Sequence, residues 1–169
     1  DEHGMIQKLR QKRRTGRMKQ RIIFATGNKN KIREIHEILG DLGWEILSMK
    51  EAGIDLDIVE DGTTFEENAL IKAKAVAAQC NDIVLADDSG LEIDYLNKEP
   101  GIYSARYAGE DTSYDIKNQM LLDRLQGVPR EKRTARFVCA IAAVQRNYHR
   151  KRKMQEVIVV TLFGRCVRN

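Results

Sequence analysis

Three cysteines, two prolines and one tryptophan are all that 169 residues contain of those types. Cys80, Cys139 and Cys166 are odd in number and show no CxxC spacing. That argues against a disulfide framework or a zinc site and favours a reducing compartment, so a cytoplasmic protein is expected. No apolar run approaches the ~18 residues of a membrane span. The opening stretch DEHGMIQKLRQKRRTG lacks the apolar segment of a secretory signal. There is no internal repeat and no low-complexity tract. What remains, 42% hydrophobic and 32% charged residues, describes one ordinary globular domain with a real core.

The net charge of +4 conceals a division. Residues 1–21 carry eight Lys/Arg against two acids, and residues 145–169 carry seven against one. The stretch between them carries fourteen against twenty-two, so an acidic middle lies between two basic ends. The clusters RQKRR (10–14) and HRKRK (149–153) raise the question of nucleic acid. Neither interleaves aromatics as a single-strand stacking platform does. A solvated leader over 1–17 and a solvated hairpin tip account for them better, and the domain is expected to occupy 18–169.

Strands and helices alternate through the first half. Arg21 to Ala25 reads as a strand, followed by a turn and a helix over about 30–39 with Ile32, Ile35 and Leu39 as its buried stripe and Gly40 as its stop. A second strand runs from Trp44 to Met49. Thr64-Phe65-Glu66-Glu67 has the capping-box form, opening a helix that buries Phe65, Ala69, Ala73, Val76 and Ala77. Ile83 to Ala86 reads as a buried strand, with Leu91 to Tyr95 as another. A helix over about 113–126 stops at Gly127 and Pro129. Thr134 to Val144 reads as a strand buried on both faces, and Glu156 to Phe163 as its hairpin partner. The class is α/β with a mixed sheet.

Three stretches carry candidate chemistry. ATGNKNK (25–31) joins a strand end to a helix start. Free backbone N–H groups and the helix dipole favour an anion there, with Thr26 and Asn28 as side-chain donors and Lys31 as a point charge. A simply capped αβ turn explains the same residues equally well. In the second stretch, Glu60 precedes a helix on which Asn68 and Lys72, at i and i+4, share a face. In the third, DIVLADDSGLEID (82–94), two acids stand side by side. If the strand ends at Asp87, a Ser-Gly turn swings Asp88 toward a cleft mouth, and Gly90 lets backbone approach a ligand. Asp88 there suits either Mg²⁺ or a proton taken from an attacking water.

In order along the chain stand ATGNxxK, GxTFxENAxxKA, LADDSGLEID, PGIYSARYAGED and ARFVCAIA. This set closely resembles the inosine triphosphate pyrophosphatase family, also called Ham1-like, over roughly residues 20–144. The resemblance implies a two-lobed α/β fold built on a long mixed sheet flanked by helices, usually a homodimer. It implies Mg²⁺-dependent hydrolysis of deaminated purine nucleoside triphosphates such as ITP, dITP and XTP to monophosphate and pyrophosphate. By motif position, Thr26, Gly27, Asn28, Lys29, Asn30 and Lys31 would bind the triphosphate. Glu60 and Asp88 would hold the metal, with Asp88 also the general base. Lys72 would neutralise phosphate charge, Ser89 would meet substrate, and Asp87 would support the site. Tyr103, Ser104, Arg106 and Tyr107 match the family pattern without a definite role.

The family's Phe-Gly-Tyr-Asp-Pro stretch, which helps hold the base, and its late Ser-His-Arg do not occur in this sequence. The expectation is therefore a domain with the metal and phosphate half of the site, shortened at the C-terminal side, with exposed apolar surface. An inactive remnant that binds nucleotide or only dimerises is the alternative. A nucleic-acid binder using the basic ends ranks third.

Overall fold

A computed structural model describes residues 20–149 and 152–166, with the side chains of 147–149, 152–156 and 162–166 left aside. The 1–17 leader, the cluster 10–14 and the tip residues 150–151 lie outside the described residues.

Five strands form one mixed sheet. They are β1 (Arg21–Phe24), β2 (Glu45–Ser48), β3 (Ile83–Ile93), β4 (Ala135–His149) and β5 (Arg152–Cys166), ordered β2-β1-β3-β4-β5. β1 is parallel to β2 and β3, while β4 runs antiparallel to both β3 and β5. Three α-helices join them: α1 (Lys29–Leu39), α2 (Phe65–Ala77) and α3 (Tyr114–Arg124).

Helix α2 is held most firmly. Thr64 caps it, its Oγ1 accepting from the Glu67 amide at 3.1 Å. Glu67 reaches back one residue further than a simple capping box, to the amide and hydroxyl of Thr63. Phe65, Ala69, Ala73, Val76 and Ala77 are all buried, as their spacing predicts. They meet Val84 and Ala86 of β3 and Val138, Ala140, Ala142 and Val144 of β4. The register sets Val84 opposite Val144 and Ala86 opposite Ala142, so these residues share one sheet face. Alanine on both surfaces lets the helix sit close. A second core of Ile93, Leu96, Leu121, Leu125 and Val128 lies under α3, giving the fold its second lobe.

Several expectations need correction. The two strands over 83–86 and 91–95 are one strand, and no Ser-Gly turn interrupts it, because β4 pairs continuously from Val84 to Ile93 and holds Asp87-Asp88-Ser89-Gly90 extended. Residues 94–96 then close in a 3-10 turn. Strand β4 buries one face only: Val138 to Val144 alternate buried with half-buried, and Phe137 is exposed. The stripe Ile32, Ile35, Leu39 is half-buried, with no residue of α1 fully covered. α1 ends at Leu39 with Gly40 as its C-cap, as expected, but Gly40 keeps a right-handed conformation. The chain continues through a 3-10 turn to Gly43, whose φ of 68° supplies the left-handed stop. The expected apolar surface is present: Val157 to Val160 of the edge strand β5 are exposed in succession.

Candidate functional site

β1 ends at Phe24, opposite Leu85, while β3 runs on for eight residues. Past Leu85 the β1 side of β3 is therefore left without a strand neighbour. Ligands of open α/β sheets gather at such carboxyl ends. A cleft of about 1450 Å³ opens there and extends to the face of α3.

Because β3 does not turn at Asp87, its two acids point to opposite sheet faces. Asp87 lies on the face of α1, where its Oδ2 pairs with the Lys31 ammonium. Lys31 also donates to Ser89 Oγ at 3.1 Å, and Ser89 shares the Asp87 face by the same alternation. Asp87 is buried, and its Oδ1 has no partner.

Asp88 follows Val84 and Ala86 on the α2 face. Asn68, 1% exposed, accepts from the Gly62 amide at 2.8 Å and donates to Asp88 Oδ2 at 3.2 Å. Lys72, one turn on, donates to Glu60 Oε2 at 2.8 Å and stands 3.7 Å from Asp88 Oδ1. The i, i+4 pair thus delivers an amide and an ammonium to one carboxylate. Burial raises the Asp88 pKa above its ordinary value, with nearby Glu60 adding to the rise; the Lys72 charge and the hydrogen bond from Asn68 hold it partly back. The result is a half-buried carboxylate more basic than an exposed aspartate.

Of the residues read from sequence, Asn28, Lys31, Glu60, Lys72, Asp88 and Ser89 line this one cleft. Thr26, Gly27, Lys29 and Asn30 stand beside it in the β1–α1 turn and are not among its lining residues. The structure shows the capped turn. Asn28 Oδ1 caps α1 by accepting from the Asn30 and Lys31 amides, and Thr26 Oγ1 accepts from the Asn28 amide. Asp87 braces Lys31 from behind.

Gly90 has a different purpose from the one expected. A Cβ there would lie 2.4 Å from the Gly101 carbonyl oxygen and 2.5 Å from Ser104 Oγ. The glycine admits the protein's own 101–104 turn. Ser104 Oγ accepts from the Leu91 amide at 2.9 Å and donates to the Gly101 carbonyl, so it fastens that turn to β3 as a cleft wall. Arg106 follows, its guanidinium 5.3 Å from the centre of the Tyr103 ring. Sequence reasoning gave Ser104 no role because a hydroxyl bonding to a distant strand leaves no periodic signal. It also passed over Lys117, a polar residue in an unremarked helical turn.

Among the described residues no three His, Cys, Asp or Glu side chains cluster as a metal cage. Two carboxylates sharing one ammonium, Glu60 and Asp88 around Lys72, are what is present. That donor set fits Mg²⁺, which takes one or two carboxylates and fills its shell with water and substrate phosphates.

A cleft at strand ends with two lysines and two carboxylates is suited to holding phosphate groups and a cation in an α/β fold. Residues 22–166 match the model of the Ham1 family, and the chain belongs to that family. It is 50% identical over 130 residues to a dITP/XTP pyrophosphatase of Clostridium perfringens, covering 73% of this chain and 64% of that protein. Identity to the dITP/XTP pyrophosphatase of Bacillus subtilis is also 50%, over 120 residues, covering 71% and 61%. The chain thus spans less than two thirds of the length of these curated relatives. Among solved structures, the Ham1 protein of Staphylococcus aureus superposes with a TM-score of 0.71 at 38% identity, covering 88% of this chain and 72% of the other. The nucleoside-triphosphatase (dITP/XTP pyrophosphatase) of Mycobacterium abscessus gives 0.67 at 33%, covering 86% and 73%. The mixed-sheet α/β fold is that of these proteins.

Proposed function

We propose that this protein hydrolyses deaminated purine nucleoside triphosphates, ITP, dITP and XTP, to the monophosphate and pyrophosphate with Mg²⁺, in the cytoplasm and as a homodimer. The observation that carries the chemistry is Asp88: a half-buried carboxylate of raised pKa, held by Asn68 and next to Lys72, in the cleft that also takes Lys31. The relatives' printed names, dITP/XTP pyrophosphatase, support the substrate class.

Phosphoryl attack needs charge neutralisation and positioning more than covalent help. In this reading Lys31 and Lys72 draw the triphosphate into the cleft from opposite sheet faces. The β1–α1 turn, with Thr26, Gly27, Asn28, Lys29 and Asn30, offers backbone and side-chain donors along it. Ser89 meets the same phosphates. Glu60 and Asp88 would hold the ion, which supplies Lewis-acid polarisation of the phosphoryl oxygens and a lower pKa for attacking water. Asp88 takes the proton of that water, a task to which its raised pKa suits it better than an ordinary aspartate. Asp87 keeps Lys31 in place.

The test is product analysis. Pure protein with Mg²⁺ and ITP is expected to release pyrophosphate, and Asp88→Asn to abolish the release. Orthophosphate as the product would refute the reading.

A further inference from the structure

We infer that Lys117 is a second contact to the nucleotide, at the apolar end of the cleft, where its ammonium donates to a carbonyl oxygen of the purine. The inference rests on the nucleotide reading above and names the side chain that discriminates the base.

Lys117 is 4% exposed, one of three buried polar or charged residues among those described, with Asn68 and Asp87. Asn68 is answered by Gly62 and Asp88, and Asp87, with one oxygen unpartnered, has its counter-charge in Lys31. Lys117 is answered only in part. Its Nζ donates to the Ala105 carbonyl and lies 5.4 Å from the centre of the Tyr114 ring. No carboxylate pairs with it among the described residues, and an ammonium has three N–H donors. A buried cation without a counter-charge is costly, and a ligand oxygen that completes its shell removes part of that cost.

Its surroundings select the kind of oxygen. Lys117 lines the same cleft as Lys31, Lys72 and Asp88, and near it the lining changes to Tyr107, Tyr114, Leu121, Leu122 and Leu125. Glu110, Asn118, Arg130 and Arg133 also line the cleft, and apolar and aromatic walls with a few polar groups suit a flat heterocycle. The triphosphate is drawn to the other end by two lysines and the ion. Lysine can donate but never accept. A 6-oxopurine offers it an acceptor, whereas a 6-aminopurine presents N–H donors at the same place. The lysine therefore favours the first and opposes the second, using attraction and repulsion together.

The experiment is calorimetric titration of wild type, Lys117→Met, Lys117→Gln and Lys117→Arg with the non-hydrolysable α,β-methylene analogues of ITP and ATP. Tripolyphosphate serves as a base-free probe. Wild type is expected to prefer the ITP analogue. Lys117→Met should weaken that ligand by about tenfold or more, the loss of a charge-assisted hydrogen bond. It should leave tripolyphosphate within about twofold, as for a contact that ligand does not make, and leave the ATP analogue unweakened or tighter, because the opposing donor is gone. Lys117→Arg should recover part of the preference, and Lys117→Gln, able to accept as well as donate, should level the two analogues.

Preference for the ITP analogue in folded Lys117→Met and Lys117→Gln overturns the inference. Equal weakening of tripolyphosphate overturns it too, by making Lys117 a phosphate contact. So does a wild type that binds both analogues alike. If wild type meanwhile releases pyrophosphate from ITP, the proposed function stands while this inference falls. If wild type binds neither analogue and turns over no triphosphate, both fall.

Discussion

Asp87 and Asp88 are neighbours in sequence and live on different sides of one sheet. On the α1 side, Asp87 is buried with one oxygen on Lys31 and the other unpartnered. On the α2 side, Asp88 sits in a row with Val84 and Ala86, takes an amide from Asn68 and shares Lys72 with Glu60. The first acid has a dedicated cation. The second is desolvated by an alanine-rich helix interface and shares its cation, and its pKa is raised. Strand alternation alone separates them. A doubled carboxylate on a continuous strand thus supplies two environments, one suited to bracing a lysine and one to moving a proton.

The largest expected effect breaks this comparison at the proton. Asp88→Asn should reduce turnover by roughly 10²–10⁴, the loss of a general base. Asp87→Asn should cost on the order of tenfold, through misplacement of Lys31. Both are read as initial rates of pyrophosphate release. Equal losses would erase the distinction between the faces.

Next comes the shared cation. Lys72→Met leaves Glu60 and Asp88 without their ammonium, and KM for the nucleotide should rise by about tenfold or more as a charge-assisted phosphate contact disappears. Lys72→Arg should restore part of it. An unchanged KM would mean that Lys72 serves only the two acids.

The third prediction concerns the wall beyond the acids. Gly90→Ala forces a Cβ against the Gly101 carbonyl and Ser104, and should cost about 1–3 kcal/mol. For a chain of this size each kcal/mol lowers Tm by about 2–4 °C. Gly27→Ala, whose Cβ meets nothing within 4 Å, should stay within about 0.5 kcal/mol. Thermal melts decide it, and matching losses at the two positions would contradict the close approach at Gly90.

The smallest effect is on stability against pH. The Asp88 pKa is higher in the folded than in the unfolded chain, so the folded state binds its proton more tightly. Stability from this group is therefore fully present below the unfolded value, about 3.8, and is lost as pH rises through the raised folded value. Asp88→Asn should then melt higher than wild type at neutral pH, with the gain fading toward pH 3.8 and below. A variant that melts lower at neutral pH would show that the Lys72 attraction outweighs burial.

Much of this arrangement was legible from residue order. Helix α2 was readable because Thr64 and Glu67 mark its start and its alanines recur at helical spacing. Gathering Asn28, Lys31, Glu60, Lys72, Asp88 and Ser89 in one place rested on the motif order and the family resemblance it carries. The strand through Asp87-Asp88-Ser89-Gly90 was not legible. Local chemistry there reads as a turn, and the pairing with β4 that overrides it comes from residues 135–144, about fifty positions away. The same limit hid Gly90, whose neighbours arrive from the 101–104 turn, and Lys117, whose burial depends on packing between α3 and the Ala105 loop. Gly40 marked the end of α1 correctly, but the left-handed turn that a glycine stop usually supplies waits until Gly43.

The most direct test is pyrophosphate release from ITP, with Mg²⁺, by wild type, Asp88→Asn and Asp87→Asn measured side by side. The account predicts pyrophosphate as the product, near-complete loss in Asp88→Asn and a partial loss in Asp87→Asn. Full activity in Asp88→Asn would contradict it, because the half-buried carboxylate on the α2 face would then have no part in the chemistry.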